Sequence, residues 1–205
     1  MKKRILPLFL AAVMVLAMCG FTSAQALETK QAKLHEAANI LRSVGFKEDN
    51  PLIRMLQEQW WAAEHTKRQI ESRRTYTEED VTLIAKTVWA EARGLNDTER
   101  SAVIWCILNR CDAWEQTIKE TVTAPNQFAY YAGSPVEEDI VRLTRDVLDR
   151  WEAEKAGETD AGRTLPKEYL FFWGDGEHNW FRTEFVGGEI WRWELEGPYT
   201  DGAGA

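Results

Sequence analysis

The stretch "AVIWCIL", Ala102 to Leu108, has no charged or hydroxyl side chain on any face. Read as a helix opened by Asn96 or Asp97 and running to about Arg110, its middle is apolar all round. A helix of that kind in a globular domain has to be central, with its neighbours wrapped around it. The flanking segments supply those neighbours. Thr77, with Asp80 three residues on, forms a shortened capping box, and Val81, Ile84, Ala85, Val88 and Ala92 follow at helical spacing until Gly94 stops the helix. Beyond the central helix, Thr117 to Val122 is a short helix or turn, and Pro125 and Asn126 mark "TAPNQFAYY" as a loop. Ser134-Pro135 is expected to cap a long helix with Ile140, Leu143, Val147, Leu148 and Trp151 on one face.

After a polar linker, Ala156 to Arg163, the periodicity changes. "EYLFFW" is strand-like, Gly174-Asp175-Gly176 is a turn signal, and "NWFRTEF" and "EIWRW" alternate on either side of Gly187-Gly188. The expected fold class is therefore α+β, mainly helical, ending in a small antiparallel β-meander. Upstream, residues 27–75 predict a separate helical segment. One stripe is Leu34, Ala37, Ala38 and Leu41, stopped by Gly45. The second follows an Asn50-Pro51 start and runs through Leu52, Met55, Leu56, Trp60 and Ala63. The charged run from Glu64 to Arg74 is a linker or a solvated helix end.

Residues 1–26 read as a secretory signal: Lys2, Lys3 and Arg4, then the apolar run Ile5 to Ala17, then Ala24-Gln25-Ala26 as a small-x-small cleavage pattern. An uncleaved N-terminal membrane tether is the alternative. A lipid attachment at Cys19 is disfavoured by the bulk of Met18 before it. Without the signal the chain has 22 Lys plus Arg against 33 Asp plus Glu, a formal −11. That balance argues against nucleic acid and against anionic lipid surfaces as partners, since both reward positive charge. Cys106 and Cys111 are five apart on one helix, about 140° around its axis, so two buried thiols are expected and no bridge. His35, His65 and His178 have no metal-ligand spacing, and neither a nucleophile elbow nor a phosphate loop is present, so no cofactor is expected.

The candidate chemistry centres on Glu91. At 100° per residue it falls about 80° from the centre of its helix's apolar stripe, at the border of the buried face. It also stands in the last helical turn, where the dipole disfavours a carboxylate. Desolvation and dipole together would raise its pKa, as a general acid needs. The competing reading is a helix-end charge paired with Arg93 or Arg100. The 10 Trp bear on the choice, because Trp173, Trp180, Trp191 and Trp193 cluster in the meander. Such flat apolar rings suit the C–H faces of sugars, although each ring could equally fill the core.

"VWAEARG", "AVIWCILNR" and "PNQF" together resemble the SleB-type cell wall hydrolases, which include the spore cortex-lytic enzymes. The matching residues are Trp89 to Gly94, Leu108-Asn109-Arg110 and Gln127-Phe128, and the resemblance spans roughly residues 76–195. It implies a lysozyme-like fold, a secreted or wall-bound enzyme, and peptidoglycan glycan strands as partner. It also implies lytic transglycosylation with Glu91 as the single acid/base. The bond cut would join N-acetylmuramic acid to N-acetylglucosamine, giving 1,6-anhydro ends. Spore cortex lysis during germination is the implied setting. Gln127 and Phe128 would line the glycan groove, with Trp173, His178 and Asn179 as further wall residues. The chain departs from the family at Leu95 and Asn96, where an acidic residue and a proline are usual, and at Glu99 and Arg100, where Gly-Gln is frequent. Asp97, Glu99, Asp175, Glu177 and Glu184 are candidates for a second carboxylate, which a hydrolytic muramidase would need. A non-catalytic glycan-binding protein would share the same cleft.

Overall fold

The computed structural model describes residues 23–159 and 161–192. The signal-like run through Phe21, the tail from Gly197 and Trp193 lie outside the described residues. The described part is mainly helical, with six helices and one two-stranded antiparallel sheet. It falls into two compact units that divide after Arg73. Among the described residues no helix is long and apolar enough to cross a membrane.

The first unit is a helical hairpin, α1 (Ala24–Ser43) and α2 (Pro51–Arg73). Ser23 caps α1 through the Ala26 amide, so the Ala24-Gln25-Ala26 pattern lies in the first turn of a helix. Gly45, at φ 92°, ends α1 with the paired bonds Phe46 N to Leu41 O and Gly45 N to Arg42 O. These are the two bonds of a Schellman stop. Asn50 Oδ1 then accepts from Leu52 N and starts α2. The apolar stripes meet as Leu34, Ala37, Ala38, Leu41, Ile53 and Leu56. The charged run from Glu64 is the end of α2 rather than a linker, because the helix continues to Arg73.

The second unit is organised by α4 (Asp97–Trp114). Every residue from Ser101 to Cys111 is buried. Packed around it are α3 (Glu78–Ala92), α5 (Ile118–Thr123) and α6 (Glu138–Lys155). Thr77–Asp80 and Thr117–Glu120 both form complete capping boxes. The start of α6 differs from expectation. Ser134 N donates to Tyr131 O and closes a turn, so the helix begins four residues later, behind Glu137, which makes no side-chain cap. Cys106 and Cys111 are buried, unbridged thiols.

The polar end of α4 fixes the sheet. Asn109 Nδ2 donates to Pro166 O (2.8 Å) and Tyr169 O (3.0 Å), and Arg110 Nε donates to Leu170 O (2.5 Å). Those bonds deliver the chain into β1 (Phe171–Gly174), which pairs with β2 (Asn179–Arg182). In that register Phe172 and Phe181 share one face with Gly174 and Asn179, while Trp173 and Trp180 share the other. The expected meander shrinks to a hairpin plus one bridge, Arg182 to Ile190. The cause is a tight loop. Thr183 N donates to Glu189 O, and Gly187 and Gly188 both take positive φ. A Cβ on Gly188 would stand 2.8 Å from Glu184 N, so that position requires glycine.

Candidate active site

Glu91 is the penultimate residue of α3 and half-buried, as its phase on the apolar stripe predicts. Neither expected arginine pairs with it. Arg93 lies over the Trp89 ring, 4.6 Å from the centroid. Arg100 binds Asp139 (2.9 Å) and donates to the carbonyls of Ala92 (3.4 Å) and Arg93 (2.6 Å). The carboxylate instead accepts the Ala129 N–H at 2.5 Å. Burial raises the Glu91 pKa above the ordinary carboxylate value, and the Ala129 bond and the Arg110 charge pull back against it. Arg100 also covers the carbonyl end of α3, which blunts the helix dipole there. Desolvation is the main cause of the shift.

The Ala129 amide is held in place by α4. Arg110 is buried, and its guanidinium donates to Gln127 Oε1 (3.0 Å) and Gln127 O (3.4 Å) while bonding Leu170 O with Nε. Phe128 sits against it, its ring centroid 4.4 Å from the guanidinium carbon and 6.1 Å from Phe172. Asn126, at φ 61°, turns the loop. One arginine therefore ties the loop 124–129 to the entrance of β1. A planar fork with five donors can do this, and a point-charge lysine cannot.

Glu91 opens into a cleft of about 350 Å³ lined by Ala90 to Leu95, Gly174, Gly176, His178 and Asn179. Three of the ten lining residues are glycines, and Glu91, Arg93, His178 and Asn179 are the polar ones. Asn179 is buried and donates Nδ2 to Glu91 O at 3.3 Å. His178 is half-exposed, with Nδ1 3.0 Å from Glu99 Oε1. Gln127 and Phe128 are on the loop that presents the Ala129 amide, their side chains committed to Arg110 and Phe172. Trp173 stands apart from this group. It projects from the opposite face of the hairpin, stacked on Trp180 at 6.4 Å, and it is not among the residues lining the cleft.

The carboxylates weighed as seconds to Glu91 separate by environment. Asp175 takes the Glu177 and His178 amides at 2.8 Å and the Trp180 indole N–H at 2.5 Å. Those bonds hold its carboxyl down, to a pKa of about 2, so it stays ionised as a turn anchor. Asp97 lies 3.5 Å from Arg100. Glu99 is the buried one, at the N-terminal turn of α4. In the sequence Glu99 stands as a departure from the family pattern and as one of five candidate second carboxylates, and Arg110 only as the end of the Leu108-Asn109-Arg110 match, with no role assigned to it. A signal for Arg110 was present, as a charged residue two positions past the fully apolar stretch of α4, behind Asn109. Among the described residues no group of three His, Cys, Asp or Glu could hold a metal ion. No family model, no curated protein and no solved structure matches the chain.

Proposed function

We propose that this protein cleaves peptidoglycan glycan strands with Glu91 as the acid/base, within a lysozyme-like helical domain. The observation that carries the reading is the state of Glu91. It is half-buried at a cleft, its pKa is raised by desolvation, and a backbone amide rather than a cation fixes its orientation. A carboxyl in that state holds a proton at higher pH than a solvated one. It can protonate the oxygen between N-acetylmuramic acid and N-acetylglucosamine as that bond breaks. The Ala129 N–H then stabilises the carboxylate left behind.

The same carboxylate, now a base, takes the proton of the sugar's 6-hydroxyl as that oxygen attacks the anomeric carbon. The product is a 1,6-anhydro end, and no water is consumed. Hydrolysis by inversion would need a second carboxylate to activate water, and Glu99 is badly suited to that role. Both Glu99 oxygens are already engaged by Asn96, His178 and the Asn179 amide. The resemblance stated above favours an exported enzyme and spore cortex as the wall layer attacked.

Glu91→Gln is expected to fold normally and to lose about two to four orders of magnitude in muropeptide release from purified peptidoglycan. Release at the wild-type rate by that variant would remove Glu91 from the chemistry. Mass spectrometry of the wild-type products separates the remaining readings. Anhydro ends support transglycosylation, reducing ends a muramidase, and binding without soluble product a glycan-binding protein.

A further inference from the structure

We propose that Glu99 is a positioning residue, which latches the His178–Asn179 wall of the cleft to the backbone of Glu91. The proposal rests on the reading of this cleft as a glycan-cleaving site. Glu99 is 2% exposed, and among the described residues no Lys or Arg lies within ion-pair distance of it. A buried carboxylate with no Lys or Arg beside it, and only the His178 ring as a basic neighbour, is costly unless hydrogen bonds converge on it. Here they come from two parts of the fold. From its own helical turn, Asn96 Nδ2 donates to Oε2 at 3.3 Å, while Asn96 Oδ1 caps the Glu99 amide at 3.0 Å. From the hairpin, His178 Nδ1 (3.0 Å) and Asn179 N (3.3 Å) both reach Oε1. The helix N-terminus adds its positive end to the same carboxylate.

The connection continues to Glu91. Asn179 gives its backbone N–H to Glu99 and its side-chain Nδ2 to Glu91 O (3.3 Å). Gly174, its cross-strand partner, holds Asn179 close, since a Cβ there would stand 3.1 Å from Asn179 Oδ1. Two hydrogen bonds therefore lead from the buried carboxylate to the main chain of the proposed acid. Because a carboxylate only accepts, the His178 ring carries its proton on Nδ1. Glu99 itself has no part in proton transfer, with both oxygens occupied and almost no exposure. Its effect is on where the wall and Glu91 stand, and displacements of about 1 Å cost on the order of 100-fold in turnover.

The test compares full-length wild type, Glu99→Ala and Glu99→Gln on soluble glycan strands, alongside thermal melts and imidazole ¹⁵N shifts of His178. The expected result is a drop in kcat of roughly 10- to 100-fold in Glu99→Ala with little change in KM. Glu99→Gln should recover most of that loss, since its Oε1 still accepts from His178 and Asn179. The His178 ¹⁵N shifts should leave the Nδ1–H pattern in Glu99→Ala. A folded Glu99→Ala with wild-type kcat, or with unmoved His178 shifts, overturns the proposal. If Glu99→Ala does not fold, Asn179→Ala removes only the link to Glu91. It should then show the same kcat loss, and wild-type kcat there overturns the proposal equally. Absence of product from the wild type, with His178 shifts that respond to Glu99→Ala, removes the glycan-cleavage reading and leaves the latch standing.

Discussion

The hairpin of residues 24–73 and the unit built on α4 are both helical, yet they bury different things. In the hairpin, two amphipathic stripes meet, and few polar side chains are buried, Gln31 among them. Gln31 answers to Glu64 at 3.0 Å. In the second unit, α4 is enclosed on all sides, and its two ends are polar residues that are buried as well: Glu99 and Ser101 at one end, Asn109 and Arg110 at the other. Apolar stripes of the hairpin kind need only roughly the right size and pattern. Buried polar ends have to find partners, and the partners they find are the loop 124–129 and the β-hairpin. The cleft forms where those partners are drawn together. The cleft's shape therefore follows from the polar residues at either end of the buried stretch of a helix whose middle is apolar.

The sharpest attack on this comparison truncates one core residue in each unit. Ile53 and Ile104 are both fully buried. Ile→Ala at such sites costs about 2–5 kcal/mol. Ile104→Ala is expected to lower the stability of the second unit and to end muropeptide release near its new melting point. Ile53→Ala is expected to loosen the hairpin and leave release intact at the same temperature. Melting curves read beside activity decide it, and parallel loss of activity in both variants breaks the comparison.

Next in size is Arg110→Lys. The substitution keeps the charge but loses the fork that spans Leu170 O and Gln127. A drop in turnover on the order of tenfold is expected, from looser delivery of the Ala129 amide to Glu91. The corresponding change in the hairpin, Arg42→Lys, alters an exposed pair with Glu48 and should leave both stability and turnover nearly unchanged. Equal effects of the two lysines would show that burial of the guanidinium is not what matters.

How much of this was legible in the sequence depends on the type of signal. The central helix, the Thr77–Asp80 capping box of α3, the Gly45 and Gly94 stops and the half-buried phase of Glu91 are local, set by periodicity and cap chemistry. So was the hairpin turn at Gly174 to Gly176. The third strand was misread because alternation in "EIWRW" is compatible with a ladder, whereas the length of that ladder depends on how the Gly187-Gly188 loop closes. Ser134 was a plausible cap by type, but the turn closed on Tyr131 is followed by non-helical residues 135–137, and the helix starts only at Glu138. The contacts that define the site span 38 residues from Glu91 to Ala129 and 80 from Glu99 to Asn179. No spacing rule reaches that far, so Glu99 was visible as a residue out of pattern and a candidate second carboxylate, but not as a partner of His178 and Asn179. Trp173 illustrates the converse. Its ring type suited a sugar, but strand parity sends it to the face opposite Asn179.

The smallest expected effect concerns two carboxylates, one per unit, and it is a difference of sign. Glu64 in the hairpin has its pKa lowered, first by the Gln31 hydrogen bond and then by Arg68. A lowered folded pKa means the folded state binds protons less readily than the unfolded chain. That contribution is present above the unfolded value near 4.5 and is lost as pH falls through the folded one. Glu91 is the opposite case, raised chiefly by burial. Its contribution is fully present below about 4.5 and is lost as pH rises through the folded value, where a desolvated carboxylate must ionise. Glutamine mimics the protonated form and removes that cost. Glu91→Gln should therefore match the wild-type melting temperature near pH 4 and exceed it by a few °C near pH 7. Glu64→Gln should show no such gain at pH 7. If Glu91→Gln instead melts below the wild type at pH 7, the carboxylate stabilises the fold, and the desolvation that sets it apart from Glu64 is not the dominant influence on it.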